Sequence, residues 1–271
     1  MSPNLTAARP QAGGGTKPWR KRRWLDHAVA GSHTGRHFMQ KLLAAGVLFW
    51  SLAGGGLSAP AQTNSAAAST NGGGIAVSLV YDGSGSMADK VPGADHQPTP
   101  KYLIANKAVT SIIGQLLAFS QDKHVEVQAG LVYFEAGKIR SAVPLTGLTP
   151  ASGATFTDWA HNFHTPSGGT PLGLAIQEAQ HQLEASTCPR KHILVITDGV
   201  SNSGISPDRV VRSIHAGANP IPVYFVAFDI NASVFDSVKA QGATVVSASD
   251  EAQLNVEINH LLGQKILLEA E

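Results

Sequence analysis

The chain reads as an α/β protein: a doubly wound, mostly parallel central sheet with one antiparallel edge strand and helices on both faces. Three observations predict this. From Ile75 onward, short apolar runs alternate with longer segments of helical periodicity, the pattern of repeated strand–helix units. The runs are nearly continuous in Val, Ile, Leu and Phe, as strands covered on both faces must be. Two of them flank Ala136-Gly137 closely enough to pair as an antiparallel hairpin.

The first strand spans 75–81. A helix follows over 101–119, because Ile104, Ala105, Ala108, Ile112 and Leu116 recur along one face. Residues 125–134 form the second strand, and 139–145 return beside it as the hairpin partner. The next helix covers 172–185, with Thr170 expected at its N-cap and Pro171 at its first position. A strand over 192–197, a helix over 207–216, a strand over 221–228 and a short helix over 233–241 continue the alternation. A brief strand at 243–247 and a closing helix at 251–268 complete it. Residues 88–100 break the rhythm. Pro92, Pro98, Pro100 and Gly93 exclude a helix there, so the segment is a surface insertion that either shapes partner choice or is neutral.

Ahead of the domain lies a targeting region. Residues 42–57 (LLAAGVLFWSLAGGGL) are apolar over signal-peptide length, Lys41 precedes them, and Ala59-Pro60-Ala61 offers a small-x-small cleavage site. Residues 39–61 thus make a complete secretory signal, with cleavage expected after Ala61. Met39 is then the expected start of translation, and the basic extension 1–38 an over-extended gene model. The Arg22-Arg23 pair is a competing export signal but lies far from the apolar stretch. An uncleaved single-span anchor is the structural alternative. Residues 62–73 are a small-residue flexible linker, and 74–268 form the folded domain. Charge divides along the same line. Residues 1–41 hold 8 of the 20 bases and 1 of the 19 acids, leaving 12 bases, 18 acids and a net charge of −6 beyond them. An acidic globular part argues against nucleic acid as its partner.

The most informative stretch is Asp82-Gly83-Ser84-Gly85-Ser86, directly after the first strand. It spaces a carboxylate and two hydroxyls at i, i+2 and i+4, with glycines that let the backbone curl until the oxygens converge. A hard divalent cation such as Mg2+ prefers such an all-oxygen, partly hydrated environment. The same residues also suit any tight turn. Two later segments decide between these readings. Ser167-Gly168-Gly169-Thr170 precedes a helix, and the strand 192–197 ends at Asp198-Gly199. In open sheets, ligands bind at the carboxyl ends of strands where strand order reverses.

Taken together, Asp82-x-Ser84-x-Ser86, Thr170 and Asp198-Gly199 resemble the metal-ion-dependent adhesion site of von Willebrand factor type A domains, with all five metal positions matched in order. The resemblance runs over about 74–268, to a secreted bacterial type. It implies a Rossmann-like fold in which the strands ending at Asp82 and Asp198 are neighbours. It further implies that Ser84 and Ser86 bind Mg2+ (or Mn2+) directly, and that Thr170 binds directly in a high-affinity state and otherwise through water. Asp82 and Asp198 would act through bound waters. The ion's open position would take an Asp or Glu carboxylate from a partner protein. The expected function is a secreted or periplasmic, metal-dependent, adhesion-type binding module and not an enzyme. The alternative is the metal-site subunit of an AAA/MoxR-type, chelatase-like ATPase assembly; those partners are cytoplasmic, which the signal segment opposes. The insertion at 88–100 departs from compact members of the family.

Other chemistry fares worse. Cys188 is the single cysteine, so it forms no internal disulfide, and it reads as an unpaired, partly covered thiol. His161 and His164 lack a third ligand at zinc spacing and read as solvent-facing or capping residues. Gly83-x-Gly85 is no phosphate loop, and no Gly-x-Ser-x-Gly elbow is present. A metal-assisted hydrolase would lack its general base.

Overall fold

A computed structural model of the protein describes residues 73–268. The expectations for the extension 1–38, the signal 39–61 and all but the last residue of the linker lie outside the described residues. The chain forms β1 (Ile75–Asp82), a 3-10 turn (Gly85–Ala88), β2 (Lys90–Pro92), β3 (Pro98–Pro100), α1 (Lys101–Lys123), β4 (Val127–Glu135) and β5 (Lys138–Gly147). It continues through α2 (Pro150–Asn162), α3 (Leu172–Glu184), β6 (Arg190–Thr197), α4 (Pro207–His215) and β7 (Val223–Phe228). A 3-10 turn (Ala232–Phe235), α5 (Asp236–Lys239), β8 (Thr244–Ala248), α6 (Glu251–Leu261) and a π-type turn (Leu262–Ile266) complete it.

Six strands lie in the order β5-β4-β1-β6-β7-β8. Every pairing is parallel except β4 with β5, the expected edge hairpin. β1 sits at the centre, with Tyr81 opposite Tyr133 on one side and Ile196 on the other. Its side chains alternate between two cores, as strand geometry requires. Val77, Leu79 and Tyr81 meet the face covered by α1, α2 and α6, whereas Ala76 and Val80 meet the face covered by α3, α4 and α5. Helix α1 is long and apolar enough to cross a membrane. Here Ile104, Ile112 and Leu116 bury its apolar face in the core.

The structure corrects several expectations. Helix α2 was not anticipated. It buries only Gly153, Phe156 and Ala160, too sparse a stripe to stand out, and Thr149 and Ser152 build its capping box. Thr170 is not the N-cap of α3. Pro171 occupies that position with no side-chain cap bond, and Leu172 begins the helix. α1 runs on to Lys123 and stops where His124 turns left-handed (φ 54°). The expected helix at 233–241 splits into a 3-10 turn and α5, and the closing helix widens into the π-type turn at Leu262. Residues 88–100 fold as an antiparallel ribbon of β2 and β3, with Val91 buried. Prolines fit because a two-stranded ribbon leaves an edge that needs no N–H donor. The Ala94 N–H donates to the Glu251 carboxylate (2.8 Å), tying the ribbon to the start of α6.

Candidate metal centre

The carboxyl ends of β1 and β6 meet where the strand order reverses, and the five proposed ligands gather there. Asp82, the last residue of β1, is fully buried. Its Oδ1 accepts from the Ser84 N–H (2.8 Å) and its Oδ2 from the Thr197 hydroxyl (2.5 Å). The 3-10 turn curls the next residues back, leaving the Ser84 and Ser86 hydroxyls 3.1 Å apart. Ser86 is exposed and donates to Asp198 Oδ1 (2.8 Å). Thr170 comes from the loop before α3, which Asn202 holds. The Asn202 side-chain oxygen accepts from the Thr170 N–H (2.8 Å), and the Asn202 N–H donates to the Thr170 carbonyl (3.1 Å). A Cβ added at Gly199 would lie 3.4 Å from Thr170 Oγ1 and 3.9 Å from Asp82 Oδ2. The hydroxyl and the carboxylate therefore line one small cradle that any larger residue would fill.

Backbone bonds lock the loops to one another. The Ser167 N–H donates to the Gly83 carbonyl (2.8 Å), Gly85 N–H to the Gly168 carbonyl (3.1 Å), and Ala136 N–H to the Ser167 carbonyl (2.7 Å). Gly168 has φ +79°, and a Cβ there would lie 2.6 Å from Ala136 Cα, so only glycine fits. Beneath the loops, Tyr81 packs edge-on against Trp159 and Phe163. Its hydroxyl donates to Asn106 Oδ1 (2.8 Å), and Asn106 Nδ2 donates to the Phe163 carbonyl (3.0 Å). That relay fixes the start of the segment carrying Thr170.

The electrostatics are those of a crowded acidic site. Burial, and next the charge of Asp198, push the Asp82 carboxyl up to about 6, against the hydrogen bonds from Ser84 and Thr197. A cation shares the site. Lys101 Nζ lies 2.7 Å from Asp198 Oδ2 and 3.2 Å from Asp229 Oδ2, with its side chain almost wholly buried. Burial alone would lower its pKa, but the two carboxylates prevail and hold it above the ordinary lysine value. At 2.7 Å the ammonium is the group that engages Asp198 Oδ2.

The sequence reading missed Thr197, Asn202, Lys101 and Asp229. Thr197 stands beside Asp198 and could have been found as the hydroxyl ending an apolar strand. The others carry no local signal, because their contacts span long stretches of chain.

These residues fit a small hard cation. The converging donors are hydroxyl and carboxylate oxygens, the donor set of Mg2+ and Mn2+. Among the described residues no three His, Cys, Asp or Glu side chains cluster as a metal site. His161 and His164 are exposed and line a groove of about 610 Å³ with Leu103, Asn106 and Lys107. Cys188 is a free thiol and more deeply buried than expected; burial pushes its pKa up, leaving it protonated and inert.

A model of the von Willebrand factor type A domain matches residues 77–258. No curated protein matches the chain in sequence. Among solved structures, the PilB minor pilin from Streptococcus sanguinis superposes with a TM-score of 0.58 at 18% identity, over 74% of this chain and 63% of that one. The vWF domain of the type V pili tip protein Mfa5 from Porphyromonas gingivalis gives 0.54 at 12% identity, over 74% of this chain and 97% of that one. The pilus adhesin SpaC from Lactobacillus rhamnosus GG, in its open conformation, gives 0.58 at 13%, over 74% and 31%. The chain thus spans less than two thirds of the pilin and under a third of SpaC. At these identities the likeness is one of fold.

Proposed function

Because this chain belongs to the von Willebrand factor type A domain family, we propose that it is a secreted or periplasmic adhesion-type module that captures a partner carboxylate through a bound Mg2+ or Mn2+. The observation that carries this reading is the convergence of Asp82, Ser84, Ser86, Thr170 and Asp198 at one strand-order reversal. In this reading the five residues form a complete metal-ion-dependent adhesion site. Ser84 and Ser86 supply hydroxyl oxygens to the ion, Thr170 supplies a third, and Asp82 and Asp198 supply charge and orient water. The ion, when bound, supplies an electrophilic position that a carboxylate can fill.

The protein's own groups do the positioning. Thr197 and the Ser84 N–H fix the Asp82 carboxylate, Ser86 fixes Asp198, and Asn202 fixes the Thr170 loop. Ser86 opens the site to solvent, and the exposed Val200 offers an apolar contact at its edge. The module is not an enzyme in this reading. The pilus proteins with which its fold superposes support a surface role. Capture of acidic partner proteins that requires Mg2+ and is reversed by EDTA tests the proposal. Capture indifferent to EDTA would reject it.

A further inference from the structure

The proposed site already contains a cation of its own. Lys101 is the first residue of α1, where a lysine would ordinarily reach solvent. Instead, the β2–β3 ribbon delivers it inward. Its backbone N–H donates to the Asp89 carbonyl (2.8 Å), Pro100 ends β3 directly before it, and Val91 anchors the ribbon in the core. The side chain is 5% exposed and the Asp198 side chain is fully buried. Asp198 thereby has both oxygens engaged, one by the Ser86 hydroxyl and the other by the ammonium. The far side of the ammonium rests on Asp229, which is 43% exposed and held by backbone at φ 54°.

We infer that Lys101 is a built-in counter-cation, which stands in for a divalent ion when the site is empty and lowers the affinity when one binds. This rests on the metal-binding reading above. The buried charges explain it. Asp82, Asp198 and Lys101 together carry −1, whereas the same site without the lysine would carry −2. A divalent ion therefore enters against an ammonium fixed on one of its own carboxylates, and like charges at such range in a buried site repel strongly. Without the ion, the ammonium offsets the repulsion between the buried carboxylates of Asp82 and Asp198. The insertion is then part of the metal site, since it sets the position of Lys101.

Calorimetric titration of Mg2+ alone into the wild type, Lys101→Met and Asp82→Ala, with thermal melts in EDTA and in saturating Mg2+, tests this. Lys101→Met should bind Mg2+ at least tenfold more tightly than the wild type. It should melt below the wild type in EDTA, where Asp198 is left as an unpaired buried charge, and gain more in melting temperature from Mg2+. Unchanged or weaker Mg2+ affinity in Lys101→Met overturns the inference. A variant that stays unfolded in Mg2+ as well as in EDTA also overturns it, by making Lys101 purely structural. If instead the wild type itself shows no Mg2+ binding that Asp82→Ala removes, the metal-binding reading fails first.

Discussion

His192 provides a stability test far from the proposed ligands. It lies in β6, is 1% exposed, and has no hydrogen-bond partner for either ring nitrogen. By strand alternation it shares the face of Leu194 and Ile196, and its ring lies 6.0 Å from that of Tyr224. Burial, and next the charge of Arg190, lower its pKa from 6.5 to about 4. The unfolded chain therefore takes up a proton below pH 6.5 that the folded chain refuses until about pH 4. More protons on the unfolded state means stability falls as pH drops through that window and levels off above it. By pH 5 the loss relative to pH 7 is about 2 kcal/mol. Asp82 acts in the opposite sense, because its carboxyl is raised from 3.8 to about 6 and the folded state binds the extra proton there. A paired measurement cancels that contribution. Urea unfolding of the wild type and His192→Phe, each at pH 7 and pH 5 in EDTA, should show the variant gaining about 2 kcal/mol on the wild type between the two pH values. A constant difference between the proteins would refute the reasoning.

Two further outcomes follow, one from the site and one from the expected signal segment. Thr170→Ala should abolish Mg2+-dependent partner capture while changing stability by no more than about 1 kcal/mol, since the hydroxyl caps no helix; a capture assay beside a thermal melt separates the two effects. Intact-mass measurement of secreted material should place the mature N-terminus at Gln62, and a retained 42–57 stretch would establish the anchor instead.

Much of the fold was legible because its strands are apolar on both faces and its first helix carries a wide apolar stripe. The four residues Asp82, Ser84, Ser86 and Asp198 could be read because each follows an apolar strand and the first three are local in sequence. Thr170 lies beside the same cradle as Asp82, but it is no helix cap: the chain needs one further residue, Pro171, to turn from loop to helix. Helix α2 hid because its buried side is mostly Gly and Ala, and its capping box uses Ser152 where Glu or Gln is the usual signal. Lys101 was invisible for a deeper reason. A lysine at a helix start is ordinarily a surface residue, and only the folded ribbon at 88–100 reveals that it is turned inward to a carboxylate 97 positions away. Glu251 is likewise a buried acid whose partners, Ala94 and Lys107, come from remote segments.

Calorimetry with Mg2+ on the wild type and Asp82→Ala tests the central claim most directly. Asp82 is a fully buried carboxylate at the centre of the proposed ligands, and its removal should leave the hydroxyls unable to hold a divalent ion. One Mg2+ site per chain is expected in the wild type and none in the variant. Equal Mg2+ binding by both proteins, or none by the wild type, would contradict it.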